Sequence, residues 1–183
     1  MRGVKFVIEF SNLIFFGLTF LYIGISATYK YIKNITTDYK SEFLNLLLFL
    51  SILFIISLTL FPIRFGYKFE GFKIFNIIPF RIILKILFEY PLGQFLYNVV
   101  GNIVLFVPFG FFIYIIYNKN KDKALLAIFI MTLSIEFIQG FIPYRFCEID
   151  DIILNTFGGY IGITIYNILE FKFNNIKKVQ TKI

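Results

Sequence analysis

The chain has 183 residues, of which 58% are hydrophobic and 21% aromatic, and its mean hydropathy is +0.80. The remaining polar side chains are too few to cover the surface of a water-soluble globule of this size. The composition therefore indicates an integral membrane protein. The net charge of +7 comes from Lys and Arg in short segments between apolar runs, which favours contact with the lipid bilayer and argues against nucleic acid as a partner. No His is present and Cys147 is alone, which excludes Ser–His catalysis, His-based zinc sites and an intrachain disulfide.

Five apolar runs are each long enough to cross about 30 Å of hydrocarbon as a helix. They are residues 10–27, 43–61, 95–117, 124–142 and 152–169. The first run lacks a small-x-small cleavage site, so we expect a retained helix and not a signal peptide. The second run ends at Pro62, which cannot donate the next backbone hydrogen bond of a helix.

The runs predict an all-α polytopic membrane bundle of about five transmembrane helices. Residues 1–42 would form an N-terminal helix with its connecting segment, residues 43–170 the main membrane domain, and residues 171–183 a basic cytoplasmic tail. We interpret the whole chain as a multi-pass membrane protein.

A short amphipathic helix is predicted between the second and third spans, in a segment opened by Asn76 and Pro79. One face of this helix would be apolar and the other charged. The apolar face comprises Phe80, Ile83, Leu84, Leu87 and Phe88, and the charged face Arg81, Lys85 and Glu89. Such a helix is typical of the membrane interface, or of a re-entrant segment.

Basic residues predict the orientation of the chain. The connection at residues 119–123 carries three Lys, and the C-terminal tail carries four, whereas the loop between the fourth and fifth spans carries only Arg145. We therefore expect a cytoplasmic C-terminus and an external Arg145 loop. Residues 64–94 would also be external, although they hold five basic residues, and the orientation of the N-terminus stays open.

Glu136 and Gln139 would share one face of the fourth span, because they are three residues apart. A carboxylate inside a membrane span is costly unless it is paired, protonated or in a water-filled cavity. Arg145, just beyond this span, is its candidate partner. The pattern fits either a buried ion pair that fixes packing or a direct functional role for both residues.

Three carboxylates lie within four residues at Glu148, Asp150 and Asp151. Their hard oxygen atoms could bind a divalent cation or recognise a cationic substrate. Asp150 or Asp151 could equally cap the fifth helix, whose N-terminus favours negative charge. No other cofactor is indicated.

Small and polar residues line one side of the fifth span. Gly158 and Gly162 have the small-xxx-small spacing that lets helix backbones approach closely, so with Gly159 they favour close packing. Asn155 lies one turn beyond Asp151 and would extend a polar stripe into the bundle. No phosphate-binding glycine loop is present.

Asn98 and Asn102 form a second polar pair, one turn apart on the third span. This pair fits interhelical hydrogen bonding as well as ligand contact. Pro108 and Gly110, further along the same span, would kink or loosen the helix.

Sequence motifs between residues 59 and 162 resemble the VanZ-like family, which is associated with resistance to teicoplanin. The matching motifs are TLFP at 59–62, NIIPF at 76–80, NVVGNIVLFVPFGF at 98–111, SIEFIQ at 134–139 and DDIILNTFGGYIG at 150–162, with Arg145 between the last two. The resemblance implies a polytopic bacterial membrane protein linked to low-level glycopeptide resistance. It implies no catalytic role for any residue.

Together these observations predict an external pocket that binds or alters a cell-envelope component. Its ligand-binding residues would be Asn76, Arg81, Asn98, Asn102, Glu136, Gln139, Arg145, Asp150, Asp151 and Asn155. The ligand would be a lipid-linked cell-wall precursor, a lipid headgroup or a glycopeptide. Two alternatives stay open: an enzyme acting on a lipid-linked sugar or phospholipid, with Glu136, Arg145 and Asp151 as candidate catalytic residues, and a structural or partner-binding subunit.

Overall fold

The computed structural model describes residues 6–9, 12–36, 38–61, 63–65, 75–142, 145 and 147–180. These residues are predominantly helical, which confirms the predicted all-α class. The helices are α1 (Asn12–Lys33), α2 (Tyr39–Thr59), α3 (Arg81–Glu89), α4 (Leu92–Phe95), α5 (Gly101–Ile116), α6 (Lys121–Gln139) and α7 (Ile149–Gln180), with a π-helical segment at Leu96–Val100 between α4 and α5. Short strands are β1 (Phe6–Ile8), β2 (Ile63–Phe65), β3 (Phe75–Asn76) and β4 (Cys147–Glu148).

Four helical stretches in the described part of the chain are long and apolar enough to cross a membrane. They are Asn12–Lys33, Tyr39–Thr59, Leu92–Ile116 and Ile149–Lys177. Helix α6 covers most of the predicted fourth span, but Asp122, Lys123 and Glu136 lie in it. Because these charges lower its hydropathy, a fifth crossing by α6 stays a prediction.

Several helices differ in length from the predicted spans. Helix α2 begins early because Asp38 caps it, its side chain accepting a hydrogen bond from the Lys40 N–H at 3.2 Å. It ends at Thr59, two residues before the predicted end at Phe61, and Pro62 lies outside the described residues. Helix α7 extends to Gln180, since no Gly or Pro follows Gly162 to end it.

The chain forms two compact units. The first contains Met1–Ile77 and Leu133–Ile149, and so includes α1, α2 and the end of α6. Within it, β1 pairs antiparallel with β2, and β3 pairs parallel with β4 so that Asn76 lies opposite Glu148. Leu53, Ile55 and Ile135 are buried in this unit.

The second unit contains Ile78–Thr132 and Asp150–Ile183. Backbones touch where α5 meets α7: a Cβ atom added at Gly158 would overlap the carbonyl oxygen of Ile103, and one at Gly162 would overlap that of Val107. This contact confirms the close packing predicted from the glycine spacing. Beyond α5, Lys119 forms an ion pair with Glu170 and donates a hydrogen bond to its carboxylate. The hydrogen bond to Glu170 raises the pKa of Lys119 above its ordinary value.

Helix α3 confirms the amphipathic helix predicted after Pro79. Ile82, Ile83 and Ile86 are partly buried, while Leu84 and Phe88 of the predicted apolar face are exposed. The helix ends before Pro91. Its location at the membrane interface stays a prediction.

Candidate functional site

A polar cluster in the first unit brings together residues from four chain segments. Gln139 and Glu136 lie at the end of α6, Arg145 in the following loop, and Asn76 and Glu148 on β3 and β4. We call these five residues, with the carbonyl groups of Thr59 and Phe61, the Glu136 cluster.

The end of α2 explains why side chains gather there. The last carbonyl groups of a helix have no intrahelical partner and must find others. Gln139 Nε2 donates to the Thr59 carbonyl oxygen at 2.9 Å, and Arg145 Nη2 donates to the Phe61 carbonyl oxygen at 2.7 Å. Two predicted site residues therefore complete the C-terminus of α2, which ties them to the TLFP motif.

Glu136 is the most deeply buried charged side chain of the cluster, with 1% of its surface exposed. Its Oε2 accepts a hydrogen bond from the Glu148 N–H at 3.0 Å. The ion pairs in the described part of the chain join Lys30 to Glu42 and Lys119 to Glu170. The ion pair between Glu136 and Arg145 that the sequence leaves open is not among them, because Arg145 turns to the Phe61 carbonyl group.

Some buried polar atoms of the cluster have no hydrogen-bond partner among the described residues. Within the described residues, Gln139 Oε1 and both side-chain polar atoms of Asn76 are buried without a hydrogen bond. Leaving such an atom unsatisfied costs about 1–3 kcal/mol. Asn76 lies opposite Glu148, whose N–H contacts Glu136, so the unsatisfied atoms belong to the same connected cluster. The cluster therefore has hydrogen-bonding capacity that its own residues do not use.

Asp150 has a structural role in the second unit. Its carboxylate accepts hydrogen bonds from three backbone N–H groups, those of Phe80 at 2.5 Å, Ile82 at 2.9 Å and Ile83 at 3.2 Å. These donors form the N-terminus of α3, and Phe80 has a left-handed backbone with φ of 63°. Asp150 is 1% exposed. Asp150 is thus a helix cap, as one of the sequence interpretations holds. The helix that it caps is α3, about 70 residues earlier in the chain, and not the helix that follows it.

The two asparagines of the third span contact different groups. Asn102 Nδ2 donates to Asp151 Oδ1 at 2.8 Å, which links α5 to α7. Asn98 Nδ2 donates to the carbonyl oxygen of Gln94 on its own helix, also at 2.8 Å. Asn98 lies within the π-helical segment, which adds a residue to one turn, so positions four apart no longer share a face.

Asn155 links α7 to α6. Its Nδ2 donates to Thr132 Oγ1 at 2.9 Å, and Gly159, one turn along, packs against Ile128. Asn155 Oδ1 and Thr156 Oγ1 are buried without hydrogen-bond partners among the described residues. The sequence did not single out Thr132 or Thr156, since a hydroxyl residue in an apolar helix is common and gives little signal.

The predicted site residues thus fall into two groups. Asn76, Glu136, Gln139 and Arg145 belong to the first unit, whereas the remaining ligand-binding candidates belong to the second. Those of the second unit are Arg81, Asn98, Asn102, Asp150, Asp151 and Asn155. Arg81 is exposed on α3. A single pocket built from both groups stays a prediction.

The sequence offers Glu148, Asp150 and Asp151 as possible cation ligands, and the structure gives two of them hydrogen-bond partners. Within the described residues, no three His, Cys, Asp or Glu side chains are placed to hold a metal ion. The carboxylate of Asp150 accepts hydrogen bonds at the N-terminus of α3, and that of Asp151 accepts one from the Asn102 side-chain amide.

Comparisons with known proteins identify the family to which this chain belongs. The sequence profile of the VanZ/LLP1 family matches residues 47–170, which include the whole Glu136 cluster. "Protein VanZ" of Enterococcus faecium is 29% identical over 83 residues, covering 45% of this chain and 51% of that protein, so the match spans about half the length of the relative. No solved structure gives a significant match. Because the family profile covers about two thirds of the sequence, this apolar helical chain belongs to the VanZ/LLP1 family of membrane proteins.

Proposed function

We propose that this protein binds the polar headgroup of a cell-envelope component at the Glu136 cluster and thereby lowers susceptibility to teicoplanin-type glycopeptides. The observation that carries the proposal is the unused hydrogen-bonding capacity of Gln139 and Asn76 beside the buried Glu136. Polar groups at membrane depth that lack partners are costly, and ligand binding is one reason for a membrane protein to keep them. The family relationship supports the link to the envelope.

The cluster favours a particular kind of headgroup. The Gln139 Oε1 atom and the Glu136 carboxylate accept hydrogen bonds, so they suit hydroxyl or ammonium groups of a ligand. Arg145 uses one nitrogen for the Phe61 carbonyl group, and a guanidinium has further N–H groups that suit a phosphate. A phosphate-linked sugar or amine, as in a phospholipid or lipid-linked precursor, combines both features.

The orientation predicted from basic residues supports the same function. It makes the Arg145 loop external, where glycopeptides and cell-wall precursors meet the membrane. Ligand binding at this level would reduce the access of a lipophilic glycopeptide to its target.

An enzymatic function is the second candidate, and the burial of Glu136 is the observation that favours it. A positioned carboxylate can act as a general acid or base on a headgroup, with Arg145 holding a phosphate. Comparative lipidomics of cells with and without the protein separates the two candidates, because an enzyme changes the amount of a lipid or precursor and a binder does not.

Expression in a glycopeptide-sensitive Gram-positive host tests the proposal. We expect the wild-type chain to raise the inhibitory concentration of teicoplanin more than that of vancomycin, and Glu136→Gln and Gln139→Leu to abolish the effect at equal membrane abundance. Glu89→Gln is the matched control, since Glu89 is exposed on α3. Unchanged potency of both drugs with the wild-type chain, or full activity of Glu136→Gln, contradicts the proposal.

A further inference from the structure

A large groove lies between α1 and α2, outside the region that the family profile matches. Its volume is about 790 Å³, which is within the usual range for ligand sites. Its lining residues fall between Tyr22 and Leu46, so all of them precede residue 47, where the family match begins. The function proposed for the Glu136 cluster therefore does not involve this groove.

The groove is open because α1 has few partners. None of the described side chains of α1 is fully buried, and its contacts with α2 include the stacked rings of Tyr22 and Phe49 at 4.2 Å. Phe43, on the opposite wall, is 60% exposed. Such a surface between two membrane-crossing helices needs an apolar occupant.

The two ends of the groove differ in chemistry. Ile23 and Leu46 line the end that lies deeper in the helical hairpin. Near the connection between the helices, Asn34 and Thr36 join a polar group in which Lys30 forms an ion pair with Glu42 and Ser26 donates to Glu42 at 3.4 Å. The occupant should therefore be amphiphilic, with its polar end at the helix connection.

Length and charge identify the occupant. From Tyr22 to Lys30 the helix rises about 12 Å, which lies within the roughly 15 Å depth of one leaflet of hydrocarbon. At the polar end, one ammonium and several amide or hydroxyl groups can donate to phosphate oxygens, while Glu42 can accept from a headgroup hydroxyl. We propose that this groove binds one phospholipid of the adjacent leaflet, with an acyl chain along the Tyr22–Leu46 wall and its phosphate at Lys30.

The test measures lipid retained by the full chain in mild detergent, by native mass spectrometry with added phosphatidylglycerol. Ala27→Phe places a bulky side chain in the groove and keeps both residues of the ion pair, and we expect it to weaken retention on the order of tenfold. Leu21→Phe is the matched control, because Leu21 is exposed on α1 and does not line the groove. It should retain lipid as the wild type does.

The headgroup is tested separately. Lys30→Gln should weaken retention of phosphatidylglycerol, whereas Lys33→Gln, in the same helical turn but outside the groove, should not. Diacylglycerol with the same acyl chains, which lacks the phosphate, should bind more weakly to the wild type. Equal retention by Ala27→Phe and the wild type, or equal binding of diacylglycerol, overturns the proposal. So does a dimer that Ala27→Phe dissociates without loss of lipid, because a second copy would then occupy the groove.

Discussion

At the scale of single residues, Asp150 has a capping role that its sequence position suggests only in part. An aspartate before an apolar helix predicts a cap, and Asp150 is a cap. The capped helix could not be predicted, because the N–H groups of Phe80, Ile82 and Ile83 are 67 to 70 residues away. The sequence predicts Glu136 and Gln139 as polar residues within a span. It does not predict their partners, the Glu148 N–H and the Thr59 carbonyl group, because these also come together only through tertiary contacts.

Replacing Asp150 should release the N-terminus of α3. We expect Asp150→Ala to destabilise the protein by about 2–3 kcal/mol, because it leaves three N–H groups without their charged acceptor. Asp150→Asn should cost less, since one acceptor oxygen remains. Hydrogen exchange of the backbone amides of residues 81–89, measured in detergent, should be faster in both variants, and faster in Asp150→Ala than in Asp150→Asn. Asp122→Ala, at an exposed position in the first turn of α6, is the control, and unchanged exchange in α3 with Asp150→Ala would refute the capping role.

At the scale of elements, hydrophobic periodicity predicted α3 and the apolar spans, but it assumed a regular helix throughout. The π-helical segment at Leu96–Val100 breaks that assumption. No residue pattern predicts a π turn. The interhelical hydrogen bonding that the sequence offers for both asparagines is therefore found for Asn102 and Asp151, whereas Asn98 donates to the Gln94 carbonyl group. The glycine spacing was more informative, because a small-xxx-small pattern has few other uses in a membrane helix.

The contact between α5 and α7 should be intolerant of any side chain. Gly158→Ala places a methyl group on the Ile103 carbonyl oxygen, so the helices must separate, at a cost of about 1–3 kcal/mol. Gly24→Ala is the matched control: nothing lies within 4 Å of a Cβ atom there, and alanine favours the helix by about 0.5–1 kcal/mol. Thermal unfolding in detergent measures both, and equal stability of the two variants would exclude backbone contact.

At the scale of the whole molecule, composition predicts a membrane bundle and the resemblance predicts the family, but neither predicts how the polar residues divide. A single external pocket follows from the sequence if Glu136 and Asp151 face each other across one loop. Between Ile149 and Asp150 the chain passes from one compact unit to the other, so Glu148 and Asp150 belong to different units. That division depends on long-range packing, which local patterns do not encode.

The orientation of the chain decides whether the Glu136 cluster can meet envelope components. Because basic residues favour the cytoplasm, we expect a single cysteine at Lys123 to react with a membrane-impermeant maleimide only after permeabilisation, in a Cys147→Ala background. A cysteine at Ile77, which is 74% exposed beside Asn76, should react in intact cells. Both positions are exposed. Labelling of the denatured protein is the control that the two cysteines are equally reactive towards the maleimide. Labelling at position 123 but not at position 77 in intact cells would be the reverse pattern. Because Ile77 is next to Asn76 of the Glu136 cluster, that result would place the cluster on the cytoplasmic side and exclude direct contact with external glycopeptides.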